Sequence, residues 1–138
     1  MAASLAFYVD LLGCRPLARW PEGAFLLAGD VWLTLLFDAE ARSGPSPEYS
    51  HVAFSVTPAE FAALGERLRA GGVEEWQANA TEGDSLYVLD PTGHKLELHT
   101  TDLVARLRHA QENPWPGLLL TAEALALLGV EADPDSDR

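Results

Sequence analysis

The sequence has a single cysteine, Cys14, so it cannot form a disulfide within the chain, which favours a reducing compartment. No apolar run approaches the ~20 residues needed to span a bilayer, and no basic segment precedes a signal-like run. Basic residues are few, 9 Lys and Arg against 21 Asp and Glu, and the net charge of -12 repels phosphate backbones and anionic lipid surfaces. We therefore expect a cytoplasmic protein that acts on small molecules, without nucleic-acid or membrane partners.

The composition is sufficient for a packed core. The chain has 138 residues, of which 48% are apolar, and this length suits one compact unit or two small packed modules. Cys14 follows a glycine and opens a strand-like run, which favours a buried structural thiol over a nucleophile.

Periodicity and turn residues predict the secondary structure. The first half shows a helix over residues 4–12, with Ser4 as N-cap and Gly13 as stop, and then the strands Arg15–Trp20, Ala24–Ala28 and Val31–Asp38. The second half begins with a strand at Ser50–Val56 and a helix that "TPAE" opens as a capping box. Its remaining strands are about Glu74–Gln77, Ser85–Asp90 and His94–His99.

These elements form an internal repeat. The second half is β-α-β-β-β and the first is α-β-β-β, so the first half lacks an opening strand. We predict an α+β fold of paired βαβββ modules, the first without its opening strand. The predicted boundaries are an N-terminal module over 1–42, a linker over 43–49, a second module plus helix over 50–111, and an extension over 112–138 whose last eight residues are disordered.

The hairpin "SLYVLDPTGHKLELHT" predicts a polar sheet face. A type I turn at "DPTG" followed by a left-handed Gly93 sets Tyr87 opposite Glu97 and Ser85 opposite His99. One face is then wholly apolar, and a register slip by one residue would mix the faces. Glu97 therefore belongs to a polar face.

A histidine on the next strand is predicted to share that face. The alternation of "SHVAFSV" separates Val52 and Phe54 from His51, so His51 and Glu97 converge if the strands curl around one concave side. Imidazole and carboxylate are suitable ligands for a divalent first-row cation. Two other interpretations stay open: a hydrogen-bonded structural histidine and a glutamate that faces solvent.

The motifs resemble those of a known superfamily. The helix "FYVDLLG", the strand "HVAF" and the hairpin "LDPTGHKLEL", in paired modules, resemble the vicinal oxygen chelate (glyoxalase/bleomycin-resistance/dioxygenase) superfamily. The segment "WQANATEGDSLYVLDPTGHKLELHTTDLVARL" is similar to the fosfomycin-resistance glutathione transferases of the FosA type. The resemblance implies a homodimer that uses Mn2+, K+ and glutathione to open a phosphonate epoxide such as fosfomycin.

The resemblance also implies residue roles. His51 and Glu97 match two of the family's three metal ligands, and the potassium loop corresponds to Asn79, Thr81, Gly83 and Ser85. Substrate-phosphonate contacts correspond to Thr81, Tyr87 and Arg106, and an aromatic pocket wall to Trp32. The metal acts as a Lewis acid on the epoxide oxygen while a glutathione thiolate attacks the adjacent carbon.

The sequence departs from the family at two points. The family's first metal-ligand histidine lies on the opening strand that the element count finds missing. Gln77 stands where the family typically has a lysine, and a neutral donor in place of a charged one weakens phosphonate binding by about 1–2 kcal/mol. Three explanations stay open: a shortened chain, a rebuilt site with His94 or His99 as substitute ligand, or a metal-free drug-binding protein.

Overall fold

A computed structural model describes residues 1–130, so the predicted acidic tail, residues 131–138, lies outside the described residues. The chain divides into two compact units. The first comprises Met1–Asn79 with Ser85–Thr100, and the second comprises Ala80–Asp84 with the chain from Thr101 onward. No helix within residues 1–130 is long and apolar enough to cross a membrane.

The first unit begins with a helix whose winding changes along its length. Helix α1 (Ala2–Leu5) continues as a π-helical segment (Ala6–Leu11), in which the amide of Leu12 bonds the carbonyl of Phe7 at 2.8 Å. The prediction of Ser4 as N-cap is wrong, because Ser4 lies inside α1 and Met1 precedes the helix. The alanines ahead of Ser4 are strong helix formers, and they extend the helix past it. The predicted stop at Gly13 is confirmed by its φ of 84°.

Seven strands form two sheets in this unit. Strands β1 (Arg15–Trp20), β2 (Gly23–Ala28) and β3 (Val31–Leu36) form an antiparallel sheet in chain order. Strands β4 (Val52–Ser55), β5 (Glu75–Gln77), β6 (Ser85–Leu89) and β7 (Lys95–His99) form a second sheet with the order β4-β7-β6-β5. The two sheets confirm the α+β class, and strand ends differ from the predictions by one or two residues.

Helix α2 (Pro58–Ala70) connects β4 to β5 and begins at the predicted capping box. The Glu60 amide donates to the Thr57 hydroxyl at 3.2 Å, and the Thr57 amide donates to the Glu60 carboxylate at 2.8 Å. These bonds satisfy amides that a helix start leaves without intrahelical partners. Strands β4 and β5 run in the same direction, because β4 is parallel to β7 and both β5 and β7 are antiparallel to β6. Two strands of the same direction need a crossover connection, which α2 provides.

The hydrophobic core lies on the apolar face of the β6–β7 hairpin. Buried members come from the π-helical segment, β2, α2 and the hairpin, and include Phe7, Leu26, Leu68, Leu86 and Leu98. Cys14 belongs to the same cluster at 4% exposure, as the prediction of a structural thiol requires. Burial raises the pKa of this thiol, which keeps it protonated and unreactive at neutral pH.

The described part of the second unit, up to residue 130, contains two helices. Helix α3 (Leu103–Glu112) begins at Asp102, whose carboxylate accepts from the Ala105 amide at 2.8 Å, and helix α4 (Ala122–Leu128) begins at Thr121. Both caps use short oxygen-bearing side chains to bond amides of the first helical turn. The prediction of helices on both sides of "NPWPG" is confirmed.

Candidate metal centre

The hairpin adopts the predicted register. Tyr87 pairs with Glu97 and Ser85 with His99, so Ser85, Tyr87, Glu97 and His99 share the face opposite to the apolar core. The turn closes through a bond from the Gly93 amide to the Asp90 carbonyl at 3.0 Å, and Gly93 has a φ of 93°. The side-chain alternation of two short strands thus determines which residues form the polar face.

His51 and Glu97 meet on this face. His51 directly precedes β4, which runs parallel to β7 with Ala53 opposite Glu97. The His51 Nε2 and Glu97 Oε2 atoms lie 2.9 Å apart. Glu97 is only 7% exposed, so the interpretation of a glutamate that faces solvent is wrong.

The hydrogen bonds to Glu97 keep it ionised. Burial by itself raises the pKa of Glu97, but hydrogen bonds from Ser85, His51 and Tyr87 outweigh it and hold the pKa below its usual value. Ser85 donates its hydroxyl to Glu97 Oε1 at 2.8 Å, on the side away from His51. The carboxylate is therefore negative at neutral pH, and Ser85 orients it through Oε1.

Aromatic rings surround the pair. The His51 ring lies 5.5 Å from Tyr49, 5.6 Å from Trp76 and 6.0 Å from Tyr87, measured between centroids. Lys95 lies over Trp76 with its Nζ 5.2 Å from the ring centroid, and it donates to the Glu48 carbonyl at 3.0 Å. These rings lower the local dielectric, which strengthens polar contacts made with the pair.

Sequence reasoning missed Tyr49 and Trp76 as members of this site. The cause at Trp76 is a β-bulge, because the register between β5 and β6 shifts between Glu75 and Gln77. A bulge re-aims side chains out of strict alternation, which brings Trp76 to 5.3 Å from the Tyr87 ring. Tyr49 lies in the linker, where no periodicity predicts the side-chain direction.

The pair has the geometry of two neighbouring metal ligands. Bonds of about 2.1 Å at right angles, as in octahedral divalent sites, put adjacent donor atoms about 3 Å apart. The 2.9 Å between His51 Nε2 and Glu97 Oε2 fits that spacing, and the Ser85 bond supplies the outer support that ligating carboxylates have. These two residues fit two positions of a divalent cation.

No third histidine, cysteine or carboxylate joins them within residues 1–130. His94 Nδ1 lies 2.9 Å from Asp90 Oδ2, and His99 Nε2 lies 3.3 Å from the Ser55 hydroxyl. The structure therefore does not bring either predicted substitute ligand to the pair, because the hairpin turn engages one and β4 the other.

A family model described as the Glyoxalase/Bleomycin resistance protein/Dioxygenase superfamily matches residues 1–98. The chain belongs to this superfamily. The resemblance that the motifs indicated is thereby confirmed, together with the fold class.

Similarity to individual proteins assigns the chain to a smaller group within the superfamily. The chain is 45% identical to the glutathione transferase FosA of Serratia marcescens over 123 residues, which is 87% of this chain and 86% of the relative. It is 30% identical to the metallothiol transferase FosB of Shouchella clausii (strain KSM-K16), over 89% of this chain and 87% of that protein. The chain is therefore homologous to the Fos thiol transferases.

A solved structure supports the same placement within the superfamily. The fosfomycin resistance protein FosX of Listeria monocytogenes, complexed with Mn(II) and sulfate ion, matches with a TM-score of 0.64 and 26% identity. The match covers 77% of this chain and 85% of that chain.

Two further residues with predicted substrate roles, Gln77 and Trp32, lie on strands of different sheets. Gln77 is half-buried and pairs with Tyr87 across β5 and β6, which places it beside the aromatic rings. Trp32 lies on β3 with 65% exposure and contacts Phe25 edge-on at 5.2 Å. Neither the assigned role of Trp32 nor that of Gln77 is tested by these contacts, so both stay predictions.

The predicted ion loop and Arg106 fall largely in the second unit. Asn79 ends a segment of the first unit, whereas Thr81 and Gly83 belong to the second, and Gly83 has a φ of 79°. Arg106 lies on α3 with Nη1 3.7 Å from Glu82 Oε2, and Thr101 donates to Glu82 Oε1 at 3.3 Å. Their roles toward potassium and phosphonate stay predictions.

Proposed function

We propose that this chain is a metal-dependent thiol transferase that adds glutathione, or a similar thiol, to a small phosphonate epoxide such as fosfomycin. The observation that carries the proposal is the 2.9 Å approach of His51 Nε2 to Glu97 Oε2 on a buried polar face. The 45% identity to a FosA glutathione transferase supports the substrate class.

His51 and Glu97 would hold a divalent cation, with Mn2+ as the first candidate because of the FosX relative in complex with Mn(II). When bound, the cation would supply Lewis-acid chemistry toward an epoxide oxygen. Mn2+ binds weakly in the divalent series, so two protein ligands need additional donors, such as substrate oxygens or a residue of a second copy. This need makes the predicted homodimer part of the proposal.

The chain's own residues prepare the site. Ser85 and Tyr87 hydrogen-bond Glu97 and keep it ionised and oriented before any ligand arrives. The rings of Tyr49 and Trp76 pack against the imidazole of His51, whose side chain is 19% exposed. Preorganised groups of this kind lower the reorganisation that accompanies charge development in the transition state.

Substrate contacts complete the proposal. Arg106, with its planar fork of donors, and Thr81 are proposed phosphonate contacts of the second unit. Tyr87, Ser85 and the pocket wall Trp32 are proposed substrate contacts of the first unit. The loop with Asn79, Thr81 and Gly83 would hold K+. A thiolate sulfur attacks the epoxide carbon, the carbon–oxygen bond breaks, and the freed oxygen takes a proton from solvent.

A second candidate is a binding protein of the same fold without catalysis. Its support is that residues 1–130 bring together no group of three metal-ligating side chains. The pair would then be a hydrogen bond that keeps the polar face rigid, and the aromatic cluster would bind an unmodified drug.

Metal titration separates the two candidates. We expect calorimetric Mn2+ binding to the purified chain, and fosfomycin-dependent loss of glutathione thiol with an adduct visible by mass spectrometry. His51→Ala and Glu97→Gln should each weaken Mn2+ binding more than about 100-fold, since loss of a ligand exceeds loss of an outer-shell partner.

The matched control is His109→Ala, which removes an exposed histidine of α3. It should leave metal binding and thiol consumption unchanged. A chain that binds fosfomycin equally well with and without Mn2+, and never consumes thiol, would establish the binding protein instead.

A further inference from the structure

Lys95 is the only lysine of the sequence, and it lies on β7 two residues before Glu97. Both side chains therefore lie on the polar face of the hairpin. Lys95 is half-buried; its ammonium group donates to the Glu48 carbonyl at 3.0 Å, and its Nζ lies 5.2 Å from the centroid of the Trp76 ring. This side chain thus connects the linker to strand β5.

Both partners of Lys95 lead to the imidazole of His51. Glu48 immediately precedes Tyr49, whose ring centroid lies 5.5 Å from that of His51. The Trp76 ring lies 5.6 Å from His51 and 6.0 Å from Tyr49. The three rings contact one another, and Lys95 holds the two chain segments that carry the tyrosine and the tryptophan.

Regular backbone pairing gives little support to these segments. Residues 37–51 lie outside helices and strands, and the pairing of β4 with β7 begins only at Val52. Strand β5 is three residues long, lies at the edge of its sheet and contains the bulge at Trp76. The Trp76 indole also donates to the Leu96 carbonyl at 3.2 Å, so two consecutive residues of β7 contact it. Side-chain contacts therefore determine how these rings lie against His51.

We infer that Lys95 is a positioning residue of the candidate metal centre: it holds Tyr49 and Trp76 against the imidazole and so keeps His51 Nε2 directed at Glu97 Oε2. An ammonium group has donors and no lone pair, so Lys95 acts through other side chains and is not itself a ligand. A rotation of the imidazole would move Nε2 away from the point where a cation shared with Glu97 must lie. The inference rests on the metal site of the proposed function and adds the residue that orients it.

The charge of Lys95 and its positioning role affect metal affinity in opposite directions. Like charges repel, so an ammonium group on the polar face disfavours a divalent cation there. Removal of the charge alone would tighten Mn2+ binding, whereas loss of a fixed imidazole weakens it. The direction of the change therefore distinguishes positioning from simple electrostatics.

Lys95→Met keeps an unbranched side chain and removes the charge and the donors. We expect the Mn2+ affinity, measured by calorimetry, to fall at least about tenfold, as it does when a residue that supports a metal ligand is lost. Lys95→Arg keeps the charge and the donors and can stack on the indole, so it should bind Mn2+ within about threefold of the unaltered chain. Arg19→Met, at an exposed position of β1, makes the same charge change on the other sheet and should leave the affinity unchanged.

Nuclear Overhauser effects between aromatic rings report the position of the imidazole in the metal-free chain. We expect a Tyr49–His51 effect in the unaltered chain and in Lys95→Arg, and its loss in Lys95→Met. The His51 signals are assigned by their disappearance in His51→Ala. The effect between Phe7 and Tyr8, whose ring centroids lie 5.1 Å apart in the core, should persist in every variant and shows that the fold is intact.

A double variant tests whether Lys95 acts through Tyr49. Tyr49 is 70% exposed, so Tyr49→Leu should fold normally and should itself weaken Mn2+ binding. Adding Lys95→Met to Tyr49→Leu should then lower the affinity by a smaller factor than Lys95→Met does in the unaltered chain.

Four results would overturn the inference: unchanged or tighter Mn2+ binding by Lys95→Met, an equal loss in Lys95→Arg, an unchanged Tyr49–His51 effect in Lys95→Met, or full additivity in the double variant. Failure of the proposed function is a separate result. A chain that binds Mn2+ but never consumes thiol would contradict the transferase and leave the role of Lys95 intact. If the unaltered chain binds no Mn2+, the metal centre is wrong, and the ring effects of the metal-free chain still decide whether Lys95 orients the imidazole.

Discussion

The hydroxyl of Tyr8 donates a hydrogen bond to Asp90 Oδ2 over 2.8 Å and thereby joins two side chains 82 positions apart in the sequence. Asp90 also accepts from the amides of Thr92 and His94 through Oδ1, at 2.9 Å and 2.8 Å. One buried carboxylate therefore fixes both the turn of the β6–β7 hairpin and the position of the N-terminal helix. Since this hairpin carries Glu97, the Tyr8 contact supports the candidate metal centre from the opposite face.

The Tyr8–Asp90 bond should be measurable as a coupling energy. Tyr8→Phe removes the hydroxyl that donates to Asp90 Oδ2. We expect the free energy of unfolding to fall by about 1–3 kcal/mol as a result. Urea denaturation of Tyr8→Phe, Asp90→Asn and the double variant should show non-additivity of at least about 0.5 kcal/mol. Tyr49→Phe, at a 70% exposed tyrosine, is the control. Strict additivity would show that the two groups do not interact in solution.

Asp90 should make the stability depend on acid pH. Burial alone raises the pKa of Asp90, but bonds from His94, Tyr8 and Thr92 outweigh it and hold the pKa below its usual value. A carboxyl whose folded pKa is depressed contributes stability that is complete above its unfolded pKa, about 3.9 for Asp, and is lost as pH falls through the folded pKa. We expect the free energy of unfolding to decrease between about pH 5 and pH 3.

Urea denaturation at a series of pH values checks this dependence. Asp90→Asn should be less stable at neutral pH and should show a shallower decline on acidification. Glu97, whose pKa is also lowered, retains part of the slope. Asp30→Asn, in an exposed turn, should keep the full slope, and an equal loss of slope in that variant would contradict the assignment.

Ser85 should act on the metal through Glu97. Ser85→Ala removes the donor at 2.8 Å from Glu97 Oε1, so the pKa of Glu97 rises and the carboxylate loses its orientation. We expect Mn2+ affinity to fall about 10–100-fold, with its pH dependence displaced to higher pH. Calorimetric titration between pH 5 and pH 8 measures both effects.

Ser55→Ala is the matched control for Ser85→Ala. Ser55 is exposed and lies 3.3 Å from His99 Nε2, with no described contact to Glu97. Its removal should leave the Mn2+ titration unchanged at every pH. An affinity loss of equal size in both variants would mean that Ser85 has no specific role.

Gly93 should be intolerant of a side chain for two separate reasons. Its φ of 93° is unfavourable for other residues, and an added Cβ would collide with the backbone of Gly44 and Pro45. Gly29, with a φ of 58° and open space around it, isolates the first effect. We expect Gly29→Ala to lower the free energy of unfolding by about 1 kcal/mol and Gly93→Ala by about 3 kcal/mol, measured by urea denaturation. Equal losses would show that the linker does not pack on the turn.

The sequence-based predictions were more accurate for contacts between residues close together in the sequence than for contacts between strands that pair in the fold. The Thr57 capping box and the Tyr87–Glu97 register depend on residues a few positions apart, and the structure confirms both. Ser4 was assigned as a helix cap by the same local reasoning, which failed because Ala2 and Ala3 also form helix. The bulge that turns Trp76 toward Tyr87 depends on pairing between strands, which single-strand alternation does not describe.

The sequence by itself determined the order of elements, the apolar and polar faces of the hairpin, and the candidacy of His51 and Glu97, because side-chain alternation and turn residues act over short stretches. Only the tertiary structure decided that β4 lies parallel beside β7, which brings these two side chains to 2.9 Å across 46 positions. It also decided that Tyr8 bonds Asp90. Such contacts depend on how distant segments share one core, and no local pattern encodes them.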